Sequence, residues 1–141
     1  MKRGILSSDS WSYPDKHMKK VYVIHGTSFD YENELYLPLM KIAGFEFIFP
    51  HQGENEHVDS KDSIRGCDLV LAEVSYPSLG AGIEIGRAEA SGKPIIAIYK
   101  SGNKISSSLK FVTEKFIEYG DLEKDFGKIG EVINNLMESR K

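Results

Sequence analysis

At 141 residues, with 40% hydrophobic and 28% charged side chains, the chain has the length and mixture of one globular domain able to bury a core without staples. Its 18 basic and 21 acidic side chains leave a formal charge of −3, which argues against a nucleic-acid polymer or a polybasic membrane contact as partner. A single cysteine, Cys67, excludes an internal disulfide framework and fits a reducing cytoplasm. No apolar run approaches the roughly 20 residues of a membrane span, and the amino end lacks the apolar centre of a signal peptide.

Residues 1–19 are polar, carry Ser7, Ser8, Ser10, Ser12 and Pro14, and read as a flexible leader or an upstream extension. Met18 before Lys19-Lys20-Val21 is a plausible natural start, and His17 is given no role. Residues 20–141 then form one α/β domain. Val21 to Ile24 is the first predicted strand, and His25-Gly26-Thr27-Ser28 is the loop that leaves it. Phe29 to Ile42 has the spacing of an amphipathic helix despite Pro38 near its middle, and Gly44 ends it. Phe45 to Phe49 is a second strand, followed by a polar loop with His51, Gly53, Glu54, Glu56 and His57. Asp59 to Cys67 reads as a short helix capped by Asp59 or Ser60.

Leu69 to Val74 is a third strand, rich in β-branched residues and too short for a helix. The Ser75-Tyr76-Pro77-Ser78 turn follows, because Pro77 cannot continue a central strand. Gly80-Ala81-Gly82 opens a helix that Gly92 and Pro94 stop, and Ile95 to Tyr99 is a fourth strand. Ser106-Ser107-Ser108 caps a helical turn running into Phe111. Lys115 to Tyr119 is a fifth strand, and Phe126 to Met137 a closing helix with Ile129, Val132, Ile133 and Leu136 on one face. Strands alternating with helices at this spacing predict a five-stranded parallel sheet covered on both faces, wound in the flavodoxin/Rossmann-like order 2-1-3-4-5.

Ligands of such sheets bind at the carboxyl ends of the strands. Glu84 falls there, one turn into its helix, beside Gly80 and Gly82, which carry no side chain to block a ligand. One reading makes Glu84 a solvated residue paired with Arg87 at i, i+3. The other makes it a reactive carboxylate whose ionised form the helix's amino end favours. His25 and His51 fall at strand ends; with His57 they read first as loop residues, then as substrate contacts, and last as metal ligands. Asp59, Asp62 and Asp68 read as capping or turn residues, one of the first two open to service as a second carboxylate. Cys67 reads as a small core residue. The serines at 106–108 read as a loop that could hold a phosphate. The GxGxxxG spacing of Gly80, Gly82 and Gly86 is not the dinucleotide fingerprint, and there is no P-loop, nucleophile elbow or paired-cysteine motif. No cofactor and no metal are expected.

The segment AEVSYPSLGAGIEIGRAEASGKPI, residues 72–95, resembles the nucleoside 2-deoxyribosyltransferase superfamily, most closely its 2′-deoxynucleoside 5′-monophosphate N-glycosidase branch. Ala72, Glu73, Val74, Pro77, Ser78, Leu79, Gly80, Gly82, Glu84, Gly86, Arg87 and Ala88 meet every fixed position of that branch's pattern. A looser likeness runs from Lys20 to Tyr119. The resemblance implies hydrolysis of the N-glycosidic bond of a (2′-deoxy)nucleoside 5′-monophosphate to free base and sugar phosphate. Glu84 would be the nucleophile, forming a glycosyl ester that water cleaves, as in retaining glycosidases. Ser78 would contact the phosphate, and Tyr22, Gly26, Thr27 and Ser28 would belong to the site, with His51 as a further substrate contact. A serine from a neighbouring subunit maps to Ser107 or Ser108, which implies a homodimer. Two departures stand out: the aspartate usual in the family falls on Ser60, with Asp59 beside it, and the loop HGTSFDYE lacks the branch's arginine- and glycine-rich character. The alternatives are base exchange by a nucleoside 2-deoxyribosyltransferase and a nucleotide-binding module without catalysis.

Overall fold

The computed structural model describes residues 18–52 and 59–139. Residues 1–17 of the expected leader, with His17, and Gly53, Glu54, Glu56 and His57 of the loop after the second strand lie outside the described residues. Five strands, β1 (Lys19–His25), β2 (Phe45–Ile48), β3 (Leu69–Glu73), β4 (Ile95–Lys100) and β5 (Lys115–Tyr119), form one sheet in the order 2-1-3-4-5. All four pairings are parallel. The predicted winding is the observed one.

Alternation along β1 and β3 sorts the core into two layers. Val21, Val23, Leu69, Leu71, Ile96 and Ile98 pack on one face with Leu35, Leu39, Ile129 and Ile133. Tyr22, Ile24, Val70, Ala72 and Ala97 face the other way, onto Ile64, Ile85 and Ala88. The first layer is roofed by α1 (Leu37–Met40) with the turn before it and by α4 (Leu122–Ser139). The second is covered by α2 (Lys61–Gly66) and α3 (Leu79–Ala90). The middles of the central strands, buried on both faces, are almost wholly apolar, as a doubly covered parallel sheet requires, and polar groups such as His25 and Glu73 enter at their carboxyl ends.

Three local outcomes differ from the sequence reading. The helix expected over 29–42 is π-helical over Glu32–Tyr36 before α1 begins at Leu37. Pro38 has no N–H, and its ring would crowd the carbonyl of residue 34 in a regular α-helix; the wider turn before it removes that conflict. The closing helix starts at Leu122 rather than Phe126, because Asp121 Oδ1 accepts the Glu123 N–H at 3.0 Å and Asp125 reaches back to the Gly120 N–H. The helix after β3 starts at Leu79, where the Ser78 hydroxyl caps it by accepting the Ala81 N–H at 3.1 Å. It ends at Ala90, and the turn past it is made, as expected, by Gly92, whose φ of 73° suits a residue without a Cβ. The turn expected at the serines is a short 3-10 helix, Ser107–Phe111, capped by Ser106.

Candidate active site

Tyr22 lies on the α3 side of β1, and its hydroxyl crosses to Glu84, donating to Oε2 at 2.8 Å. Burial, followed by the charge of Glu84, pushes the Tyr22 phenol far above its ordinary pKa, so it stays a donor across the working pH range. Glu84 is half-buried and its carboxylate faces a cavity of about 640 Å³ at the carboxyl ends of the strands. His25, Thr27, His51, Asp59, Ser60, Ser78, Gly80 and Arg87 are among its lining residues. Such a volume suits a small-molecule ligand.

Arg87 does not close on Glu84 in an i, i+3 pair. Its guanidinium donates to Asp59 Oδ1 at 2.8 Å and to Ser60 Oγ at 3.3 Å. Asp59 also accepts the Lys61 N–H at 3.0 Å, and that bond, with Arg87, holds its carboxyl below the usual carboxylate range. The two acids of the cavity therefore have separate partners. Glu84 keeps one oxygen without a partner from β1, while Asp59 is fixed as an anion beside a cation.

His25 points to the opposite face of the sheet. Its Nδ1–H donates to the Gly26 carbonyl and its Nε2 accepts from the Tyr36 hydroxyl, each at 2.6 Å. Burial lowers its pKa to about 4, so the ring is neutral near pH 7, with one nitrogen as donor and the other as acceptor. The Tyr36 oxygen also accepts the His51 N–H at 3.3 Å, which ties the residue after β2 to the end of β1. The rings of His25, Tyr31 and His51 pack within 6 Å of one another, their centroids 4.6 to 5.8 Å apart.

Tyr22, Thr27, His51, Asp59, Ser78, Gly80 and Glu84 are thus brought to one cavity or its wall. Gly26 packs behind it, against the Tyr76 carbonyl. Gly82 and Ser108 line a separate cavity of about 320 Å³ on the other side of α3, with Ser106. Ser107 is exposed on the 3-10 turn, and Ser28 is exposed in the loop after β1. Asp68 binds the Lys20 N–H at 2.8 Å, a connection within the scaffold. Cys67 is buried. Among the described residues, no three His, Cys, Asp or Glu side chains are grouped to hold a metal ion. No described helix is long and apolar enough to cross a membrane.

No protein-family model matches the chain. It is 40% identical over 62 residues to the 5-hydroxymethyl-dUMP N-hydrolase of Mus musculus, a stretch covering 41% of this chain and 36% of the mouse protein. It is 36% identical over 64 residues to the protein of the same name from Branchiostoma floridae, covering 44% of this chain and 61% of that one. The chain therefore spans about a third of the mouse relative's length in that match. The solved CMP N-glycosidase BcmB of Clostridium botulinum superposes with a TM-score of 0.57 at 27% identity, covering 79% of this chain and 98% of that chain. The chain is thus similar to proteins named as nucleotide N-hydrolases and to a solved CMP N-glycosidase.

Two polar residues in or behind the cavity were not singled out as contacts by motif reading. Ser60 is buried beside the Tyr22 hydroxyl, and Tyr36 orients His25. A signal for Tyr36 was present in its position. It is a tyrosine on the buried face of an amphipathic stretch, and a buried phenol needs a partner for its hydroxyl. Ser60 was marked only as the place where the resembled family carries an aspartate, and otherwise, as a serine before a short helix, it read as a cap. In the structure its side chain makes no cap hydrogen bond and accepts from Arg87 instead.

Proposed function

We propose that this chain hydrolyses the N-glycosidic bond of a nucleoside 5′-monophosphate, with the 2′-deoxy form preferred, to free base and sugar 5-phosphate. One observation carries the reading: a glutamate one turn into α3, held by a buried tyrosine hydroxyl at 2.8 Å, faces a cavity at the strand ends. Relatives named as nucleotide N-hydrolases and the likeness to a CMP N-glycosidase support the same chemistry.

In this mechanism Glu84 attacks the anomeric carbon as the bond to the base nitrogen breaks. The base leaves with the bonding electrons and takes a proton from solvent. Water then cleaves the glycosyl ester, restoring the carboxylate. Tyr22 fixes the carboxylate's orientation without titrating itself. Asp59, held as an anion by Arg87, is suited to accept a sugar hydroxyl rather than to supply the proton. Ser78 and the amino end of α3 offer the phosphate a hydroxyl and unpaired N–H groups, with Thr27 opposite. Gly80 leaves room for the ligand, and His51 flanks the base. The reaction calls on no cofactor.

The same reading takes the protein as a cytoplasmic homodimer in which Ser107 or Ser108 serves the neighbouring copy's site. Support comes from the exposure of both serines and of the apolar side chains Leu79, Ile83 and Phe111; a monomer by sedimentation equilibrium would remove the shared site. To test the activity, ribo- and deoxynucleotides, with and without the 5′-phosphate, are incubated with the protein and free base is followed by chromatography. Glu84→Gln is expected to lower base release at least about a thousandfold, and Tyr22→Phe roughly tenfold. Full activity in Glu84→Gln would end the proposal, and faster base exchange than hydrolysis on adding a free base would replace it with the transferase reading.

A further inference from the structure

A second carboxylate sits at the same end of the sheet, on the face away from Glu84. Glu73, the last residue of β3, is 1% exposed. Its Oε1 accepts the Ser75 N–H at 2.6 Å. Its Oε2 accepts the Ser75 hydroxyl at 2.8 Å and the Tyr119 hydroxyl at the end of β5. Ser75 extends the connection, because its Oγ accepts the Lys100 N–H at 2.7 Å and its carbonyl accepts Asn103 Nδ2 at 3.2 Å. The ends of β3, β4 and β5 are thereby joined through the Glu73 and Ser75 side chains.

That connection lies directly beneath the turn that leads to α3. Tyr76 stacks on Phe29 with ring centroids 4.3 Å apart, and its carbonyl presses on Gly26 so closely that a Cβ there would lie 2.2 Å away. Two residues later Ser78 caps the helix that carries Glu84. The turn is therefore gripped from the β5 side by Glu73 and seated on the β1 loop, and the helix inherits its placement.

We propose that Glu73 is a positioning residue: with Ser75 and Tyr119 it clamps the Ser75–Ser78 turn and so sets the distance between Glu84 and the strand ends facing it. A helix displaced by a fraction of an ångström still binds a nucleotide but presents its carboxylate badly, and misplacement of that kind costs turnover. The kinetic part of the proposal rests on the N-glycosidase reading.

Glu73→Ala would leave three donors buried without an acceptor and risks unfolding, so the milder Tyr119→Phe and Ser75→Ala carry the test. Each is compared with wild type for kcat and KM on the preferred nucleotide, for thermal midpoint, and for amide exchange at Ala81 and Gly82. The expected result is kcat about tenfold lower with KM within about twofold, and faster exchange at both amides. Lower thermal midpoints with kcat and exchange unchanged would reduce the clamp to a scaffold contact and overturn the proposal. If the wild-type protein releases no base from any nucleotide, the activity reading has failed, and the exchange rates alone decide the clamp.

Discussion

Two glutamate–tyrosine pairs stand at the carboxyl end of the sheet, on opposite faces. Glu84 and Tyr22 share one hydrogen bond, and the rest of the carboxylate faces an open cavity. Glu73 and Tyr119 belong to a set in which three donors converge on one sealed carboxylate. The residue types are the same, and the difference lies in how many lone pairs are already taken. A carboxylate saturated by neutral donors and shut from water has nothing to offer a substrate, but it fixes whatever donates to it. A carboxylate with one partner and an accessible oxygen can form a bond. Burial raises the Glu73 pKa from the ordinary value, while its donors act in the opposite direction. A raised pKa therefore does not by itself mark a carboxylate as reactive; access to a cavity is what distinguishes the acid proposed to react.

The strongest way to break this division is at the point where the two sides meet. Gly26 belongs to the loop of the open side, and Tyr76 to the turn held by the sealed side. An alanine at 26 would put its Cβ 2.2 Å from the Tyr76 carbonyl oxygen, a backbone atom that cannot swing aside. Gly26→Ala is expected to cost about 3 kcal/mol of stability in urea unfolding, and to abolish most base release because the turn must move. Wild-type stability together with wild-type turnover would mean that the loop and the turn do not constrain each other.

The open side was more legible in the sequence than the sealed side, for a physical reason. Gly80, Gly82, Glu84 and Arg87 lie within eight residues and declare a strand, a turn and a helix amino end together. The same local logic gave the five strands and their winding. Glu73 read as a residue of the third strand and a fixed position of the resembled pattern, with no partner assigned, because Tyr119 is 46 residues away and no local pattern links them. Arg87 misled in a similar way. Spacing on one helix favoured Glu84 as its partner, but Tyr22 from β1 takes Glu84 and the start of α2 draws Arg87 away. Likewise Pro38 signalled a disturbance in its helix, but whether the chain would break, kink or widen there depended on packing against the sheet.

A smaller effect sharpens the contrast by titration. His25, at the end of β1 on the face away from Glu84, has a pKa lowered from 6.5 to about 4 by burial. The folded protein therefore binds fewer protons than the unfolded chain between those values. Its contribution is complete above pH 6.5 and is lost as pH falls toward 4, on the order of 1.4 kcal/mol per pH unit while only the unfolded form titrates. His25→Gln removes this dependence. It should be less stable than wild type at pH 7, with the gap narrowing between pH 6 and pH 5 in urea titrations. Parallel stability curves would show that His25 is not held neutral by its bonds to Gly26 and Tyr36.

The finest comparison uses two glycines two residues apart on α3. A Cβ built at Gly80 or at Gly82 meets nothing within 4 Å, so neither position is forbidden to a side chain. The helix itself would gain, since alanine is favoured over glycine in helices by up to about 1 kcal/mol. The surroundings differ: Gly80 opens onto the cavity of Glu84, and Gly82 onto the cavity bordered by Ser106 and Ser108. Gly82→Ala should therefore raise the thermal midpoint by a few degrees and leave KM alone. Gly80→Leu should keep the fold and raise KM several-fold by occupying ligand space. Equal KM values in the two variants would mean that the ligand does not approach α3 from the Glu84 side. A rise confined to Gly82→Ala would move the binding cavity to the other flank of the helix.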